Sequence, residues 1–319
     1  MFKAGLIGCG AICNGHIAAF STIEDACITA ACDINESNLK KACGKTNAKG
    51  YADYKQMIRE EDLDLAIITL PHGLHCEAAC FCAEAGLDVF LEKPMALNSD
   101  ECNKIIDTCK NCGVMLWVGH LQKYMPANVF AKKLIDSGEL GELVGFSEVR
   151  NGEYFTEKRP KWFGTKSMSG GGIMMNLGAH ALDKLKFFSN SDIDKISGSI
   201  HMHNGLDCED GAQVVVKMKN GVAGTINLIG YTSHDNYETI LYLTNGEIRM
   251  RLEDNNIVKY CKKGEAIQEY DVGQGAGFGM TYQMQDFIRT LRENRKKAAV
   301  DGKYGLDIVH AIKKLYNEE

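Results

Sequence analysis

The first third of the chain alternates short, continuously apolar runs with amphipathic stretches. Residues 2–8, 27–32, 65–69, 89–91 and 115–118 are nearly continuous in apolar character, which marks strands buried on both faces. Between them, residues 11–23, 36–45, 54–59, 76–85 and 99–112 carry apolar positions at helical spacing. Buried strands alternating with helices build a parallel, doubly wound α/β sheet, because each crossover helix packs back on a sheet face.

The pattern changes after about residue 123. Residues 129–136 and 173–188 read as helices, but much of the remainder alternates with a period of two. Runs 212–218 and 222–229 flank Asn220-Gly221, and runs 239–243 and 247–252 flank Asn245-Gly246. Asn-Gly between alternating runs is a strong hairpin signal, because both turn positions need a positive φ. A large, mostly antiparallel sheet is expected there, followed by helices over 282–293 and 306–316. With 319 residues the chain exceeds one ordinary core, so two domains are expected.

Charge narrows the partners. The chain has 36 basic and 42 acidic residues, a net −6, without long runs of one sign, which argues against nucleic acid or an anionic membrane surface. No apolar run reaches the roughly 20 residues of a membrane span. The first strand begins at Met1 and leaves no room for a signal peptide, so a cytoplasmic location is expected. In that compartment the 13 cysteines read as small apolar core residues. Cys109 and Cys112 have half-site spacing, but they lie in a helical run without a second pair, so no metal is assigned. His201 and His203 sit at strand spacing without further ligands and read as surface strand residues.

The segment Gly8-Cys9-Gly10-Ala11-Ile12-Cys13 joins the first strand to the first helix. Gly8 permits the tight turn, and Gly10 lets the backbone approach a pyrophosphate at the helix N-terminus, with Ala11 and Ile12 completing the cradle. Cys13 replaces the third glycine of the dinucleotide fingerprint. Asp33, at the end of the second strand and 23 residues beyond Gly10, is placed to accept hydrogen bonds from an adenosine ribose. A carboxylate there repels a 2′-phosphate, and no arginine follows it in residues 34–38, so NAD is expected over NADP.

Further segments carry a resemblance. Thr69-Leu70-Pro71-His72-Gly73-Leu74-His75 follows the third predicted strand, Glu92-Lys93-Pro94 the fourth, and residues 119–126 the fifth. With Gly170-Gly171-Gly172 and the run from Asn176 through His180 to Asp183, the chain resembles the glucose–fructose oxidoreductase / inositol dehydrogenase / rhizopine-catabolism family nearly end to end. The resemblance implies a Rossmann domain over 1–122 and a substrate-binding and oligomerising α/β domain over 123–302. It also implies a last helix, about 303–319, packed back on the first domain; the outer face of such a sheet needs covering, so a homodimer or homotetramer is expected. Thr69, Pro71, His72, His75, Glu92 and Lys93 would line the cofactor. Lys93 and His180 would be the catalytic pair, with Asn176 beside them. Lys123, Trp162, Asn176 and His180 would meet a sugar or polyol.

Alcohol oxidation supports that pair on chemical grounds. It needs a hydride acceptor and a group for the hydroxyl proton, and histidine has the pKa for the second task. Lysine holds the oxygen and stabilises alkoxide charge. Three positions depart from the family: Asn176 stands for its usual Asp, Lys123 for arginine and His72 for asparagine. For Trp162 a packed core position is the other reading. An NAD-retaining lyase or glycosidase that works by transient oxidation, and a non-catalytic NAD or sugar sensor, are the alternative functions.

Asp33 supplies the first prediction. Calorimetric titration should show tighter binding of NAD than NADP, and Asp33→Ala should narrow the preference mainly by weakening NAD; equal wild-type affinities would refute this reading of Asp33.

Overall fold

A computed structural model describes residues 1–251, 254, 256–273, 275, 277–293 and 298–318. The chain divides into two compact units, Met1–His120 with Met280–Leu306, and Leu121–Gly279 with Asp307–Glu319.

In the first unit, β1 (Phe2–Ile7), β2 (Ala26–Cys32), β3 (Lys49–Tyr51), β4 (Leu65–Ile68), β5 (Asp88–Leu91) and β6 (Leu116–Val118) form one parallel sheet. Their order is β3-β2-β1-β4-β5-β6. The strand order reverses between β1 and β4, and that reversal opens a crevice at the carboxyl ends where such sheets bind ligands. Leu6, Ile7, Leu65, Ile67, Ile68, Phe90 and Leu91 are fully buried, as their nearly continuous apolar runs require. The connecting helices are α1 (Cys13–Phe20), α2 (Glu36–Thr46), α3 (Tyr54–Glu60), α4 (His75–Glu84) and α5 (Ser99–Cys112). Side chains of Asn35, Asp53 and Asn98 cap α2, α3 and α5, and Asn47 and Gly113 end α2 and α5 in left-handed conformation. Strand β3 escapes a pattern reading because it has three residues, Gly50 in the middle and one buried side chain.

The second unit holds an eight-stranded sheet. Its strands are β7 (Leu143–Glu153), β8 (Ile193–His201), β9 (Gly211–Met218), β10 (Ala223–Ile229), β11 (Tyr231–Leu243), β12 (Gly246–Arg251), β13 (Ile257–Lys262) and β14 (Gln268–Asp271). The order is β14-β13-β12-β11-β7-β10-β9-β8, antiparallel except for the pair β7 and β10. Along β9, Ala212, Val214, Val216 and Met218 are buried while Gln213, Val215 and Lys217 are exposed, the alternation of a sheet with one covered face. The helices are α6 (Pro126–Ser137), the short α7 (Lys166–Ser169) and α8 (Ala179–Ser189). A π-helical turn, Met174–Gly178, leads into α8. Leu185 of α8 lies against the sheet, where a side chain at Gly224 would stand 3.1 Å from it.

Both expected hairpins form, but the second turn is shifted. Leu243 pairs with Gly246, so the turn residues are Thr244 and Asn245, and neither takes a positive φ. The expected strand over 247–252 ends at Arg251, and Leu252 and Glu319 lie outside the described residues. Two helices close the chain, α9 (Gly277–Arg292) and α10 (Gly302–Leu315). Phe287 of α9 packs against Phe90 and Trp117 of the first sheet, at ring distances of 5.4 and 5.5 Å. Helix α10 contributes Tyr304, whose ring meets His120, to the first unit. From Asp307 onward it belongs to the second, where Lys313 Nζ donates to the Gly170 carbonyl at 3.3 Å. The compact division therefore returns Met280–Leu306 to the first unit, whereas sequence reasoning assigned that place to about 303–319.

Beneath α8 lies a buried ion pair. Lys184 Nζ is 3.0 and 3.1 Å from the Glu148 carboxylate oxygens and 2.6 Å from Thr239 Oγ1, and Arg150 Nε donates to Glu148 at 2.7 Å. Burial alone would push the Glu148 carboxyl up, but Lys184 and Arg150 hold it below the usual range. Lys184→Met leaves that carboxylate only Arg150 and Thr239, and should cost about 3 kcal/mol, the lower end for breaking a buried pair. Urea unfolding at neutral pH checks the loss. Because the folded Glu148 titrates below its unfolded value of about 4.3, the stability it confers is complete above that value and fades as pH falls through the folded one. The deficit of Lys184→Met should shrink in the same acid range.

Candidate active site

In the first unit the candidate residues lie at the carboxyl ends of β1, β2, β4 and β5. Gly8 follows β1 with φ +93°, and a Cβ there would stand 2.8 Å from the Thr69 carbonyl oxygen beyond β4. Only glycine satisfies both conditions. Thr69 Oγ1 donates back to the Gly8 carbonyl at 2.5 Å, tying the two loops across the reversal point. Both oxygens of Asp33 accept main-chain N–H groups, Oδ2 from Cys9 and Oδ1 from Asn35, each at 2.7 Å. The carboxylate is thereby fixed beside the glycine loop, and each oxygen keeps a further lone pair for a hydroxyl donor.

A dinucleotide fits this arrangement. A Cβ built on Gly10 meets nothing within 4 Å, so open space lies against the loop. No side chain caps α1, and its first turn carries no acid, which leaves the start of that helix to an anion. Ile12 and Ile34 are 44% and 95% exposed and have no core role beside Asp33. Ala11 is exposed as well, whereas Cys13 is buried, a thiol taking the packing position of the third glycine.

The loops after β4 and β5 are tied by His75. It is fully buried, with Nδ1 3.0 Å from the Pro94 carbonyl and Nε2 2.9 Å from that of Leu70. Burial pushes its pKa down, so the ring stays neutral and donates to only one of the two. His72 is buried with its ring 5.7 Å from that of His75, and Pro71 is half-buried between Leu70 and His72. Glu92 is also inward: Oε1 lies 2.7 Å from His16 Nε2, and Oε2 accepts the Lys93 main-chain N–H at 3.1 Å. Burial alone would raise the Glu92 carboxyl, but His16 and Lys93 pull it below its usual value. Glu92 thus holds the backbone of Lys93, whose side chain is half-buried and whose bond to Pro94 is cis. Of the residues expected at the cofactor, His75 and Glu92 have their polar atoms on the protein's own groups.

The second unit carries its own cluster of candidate residues, built on the π-helical turn and α8. Glu209 accepts from Gly172 N at 2.7 Å, Met174 N at 3.0 Å and the Tyr316 hydroxyl at 2.5 Å, so a buried carboxylate caps the entry. Within the turn, Asn176 Nδ2 donates to the Tyr154 hydroxyl at 3.0 Å. Tyr154 is 3% exposed, and burial keeps its phenol protonated well above the ordinary range. The Arg159 guanidinium lies 4.0 Å from the Tyr154 ring centre. His180, half-buried in the first turn of α8, has Nδ1 3.2 Å from Gln122 Nε2. Asp183, one turn on, accepts the Gln122 main-chain N–H at 3.0 Å.

Gln122 thus brings His180 and Asp183 together, while Asn176 meets Tyr154; Lys123 follows Gln122 in sequence, its ammonium 5.6 Å from the Tyr124 ring. Trp162 is half-buried and stacked on Phe163 at 3.8 Å, while Trp117 is the tryptophan of a core. Gln122, Asn128, Tyr154, Arg159 and Glu209 were not singled out from sequence. Their contacts join positions up to 107 residues apart, and no local spacing signals them. Cys109 is buried and its thiol pushed up to about 12 by burial; Cys112 is exposed.

Comparison with known proteins agrees with this architecture. Residues 2–120 match a family model described as oxidoreductase family, NAD-binding Rossmann fold, and residues 129–249 match the GFO/IDH/MocA C-terminal domain. Inositol 2-dehydrogenase of Salmonella typhimurium is 33% identical over 144 residues, which cover 44% of this chain and 43% of that protein. The 2,7-anhydro-N-acetylneuraminate hydratase of Escherichia coli is 25% identical over 260 residues, 80% of this chain and 68% of that protein. In fold, the chain superposes on an oxidoreductase from Agrobacterium radiobacter solved with NAD+, L-tartaric acid and magnesium, with a TM-score of 0.89, 17% identity and coverage of 99% and 96%. Two family models on consecutive stretches, over a sheet of the matching strand order and a fixed Asp33 at its crevice, establish that the chain belongs to the GFO/IDH/MocA family of NAD-binding oxidoreductases.

Proposed function

We propose that the protein transfers a hydride between NAD and a secondary alcohol of a sugar, polyol or related hydroxylated molecule. The observation that carries the cofactor half is the Asp33 carboxylate, held by Cys9 and Asn35 beside the open space at Gly10. Matches to inositol 2-dehydrogenases support the substrate class. Bound NAD supplies the hydride acceptor. Gly8, Gly10, Ala11 and Ile12 cradle its pyrophosphate, and Asp33 takes the ribose hydroxyls. Thr69, Pro71 and His72 border it, with His75 and Glu92 fixing the loops and backbone around Lys93. The Lys93 ammonium stabilises negative charge on the reacting oxygen, and His180 serves that oxygen by hydrogen bonding and proton exchange. Asn176 orients a substrate hydroxyl without adding charge, and Lys123 and Trp162 contact the same molecule. No helix among the described residues is long and apolar enough to cross a membrane. A cytoplasmic homodimer or homotetramer completes the proposal.

A second reading has two observations in its favour. Asn176 and the 25% identity to a hydratase fit an NAD-retaining enzyme that oxidises its substrate transiently. That enzyme would turn over without net NADH and keep NAD through purification.

Screening NADH absorbance over a polyol and sugar panel tests the main reading. With a substrate in hand, His180→Ala should lower kcat/KM by about 10²–10⁴-fold with NAD affinity nearly unchanged. Lys93→Met should cost at least as much. A pH profile of kcat/KM should rise through an acidic limb, and Asn176→Asp, which offers an imidazolium a counter-charge, should move that limb to higher pH. Near-full activity in His180→Ala would remove that residue from the chemistry.

A further inference from the structure

His180 is held by an amide relay whose direction is fixed at its far end by the backbone. Asn128 is 4% exposed and points Nδ2 at two oxygens of Gln122, the main-chain carbonyl at 2.9 Å and the side-chain Oε1 at 3.0 Å. A main-chain carbonyl only accepts, so the group of Asn128 facing it is the NH2. The second hydrogen of that NH2 needs an acceptor too, which sets Gln122 with Oε1 toward Asn128 and Nε2 toward His180. Turning either amide over would set two acceptors or two donors face to face at these distances. Gln122 itself cannot slide along α8, because its main-chain N–H is bonded to Asp183, three residues beyond His180.

The relay ends at the ring. Gln122 Nε2, a donor only, lies 3.2 Å from His180 Nδ1, so Nδ1 accepts. A neutral imidazole whose Nδ1 accepts carries its hydrogen on Nε2. We infer that Gln122 and Asn128 are positioning residues that hold neutral His180 as the Nε2–H tautomer, so that the ring meets a substrate oxygen as a hydrogen-bond donor. The tautomer follows from this unit's own contacts; its meaning for substrate rests on the proposed function. A donor at Nε2 steadies an oxygen that carries partial negative charge, before and during hydride transfer. To take up a proton at Nε2, the ring must first release Gln122 and shift its hydrogen to Nδ1.

Two-bond proton–nitrogen NMR correlations of the histidine rings in the ¹⁵N-labelled full chain read the tautomer directly. Spectra are taken about two pH units above the ordinary histidine value of about 6.5, where rings are neutral, and His180 is assigned by loss of its signals in His180→Ala. The wild type should show Nε2–H. Gln122→Glu replaces the donor by a carboxylate and should move the hydrogen to Nδ1. Asn128→Asp, which does not touch the ring, should do the same by turning the Gln122 amide over. A role in packing alone would shift peaks without moving the hydrogen. A wild-type Nδ1–H ring, or an Nε2–H ring retained in Gln122→Glu, overturns the inference; one retained only in Asn128→Asp removes Asn128 from it. A missing NADH signal over the whole polyol panel, with the tautomer as expected, would count against the proposed function alone.

Discussion

The Glu209 carboxylate, 4% exposed, accepts from the main-chain N–H groups of Gly172 and Met174 and from the Tyr316 hydroxyl. Those N–H groups stand where a helix begins and its donors have no partner of their own. The approach is so close that a Cβ on Gly172 would lie 1.9 Å from the Glu209 carbonyl oxygen, so this glycine serves packing before any ligand. From that anchor the π-helical turn and α8 follow. Asp183 then fixes the Gln122 turn on α8, and Lys184 fixes α8 to Glu148 of β7. His180 lies between these ties. A side chain set within hydrogen-bonding tolerance needs such a supporting shell, because a loose helix would blur its direction by more than the geometry of a proton contact allows.

The first unit reaches the same end through its backbone. Strand-order reversal between β1 and β4 brings two loops together, and Gly8 allows them to touch. Asp33 is oriented by two main-chain donors, so its position varies only with the sheet itself. Glu92 does for Lys93 what Glu209 does for α8: an inward carboxylate takes up main-chain N–H, with His16 as its buried partner. Acidic residues next to proposed reactive groups here serve geometry, and their own chemistry is turned inward.

Much of this was legible in sequence where the signal is local. Continuous apolar runs gave β1, β2, β4, β5 and β6, and the spacing from Gly10 to Asp33 reflects a strand–helix–strand unit of standard length. The second sheet was legible only in outline. Strand β8 is mostly exposed and polar, without the alternation that marks β9; β13 is half-buried apart from Val258, and β14 is exposed. Asn245-Gly246 signalled a hairpin but not its turn, since strand pairing moved the turn back one residue. Within the site, Asn176, His180 and Asp183 share one short segment and were read together. Gln122 and Tyr154 meet that segment from 58 and 22 residues away, and nothing in their own neighbourhoods marks them.

The groups gathered around α8 also bear on the proposed chemistry through their charge. Asn176 is engaged with the Tyr154 phenol, which burial keeps protonated, and His180 faces the amide of Gln122 in place of a carboxylate. Asp183, the carboxylate on the same helix, is 1% exposed and bonded to main chain. Amides and a phenol offer donors and acceptors without fixed charge of their own, and a hydroxyl group is a substrate feature that both donates and accepts. An ionised carboxylate in the place of Asn176 would favour an imidazolium and bind hydroxyls only as donors. Under the proposed function, asparagine there would let the second unit discriminate by the direction of its hydrogen bonds, and a polyol analogue that lacks one hydroxyl would lose more than one solvent-exposed contact is worth.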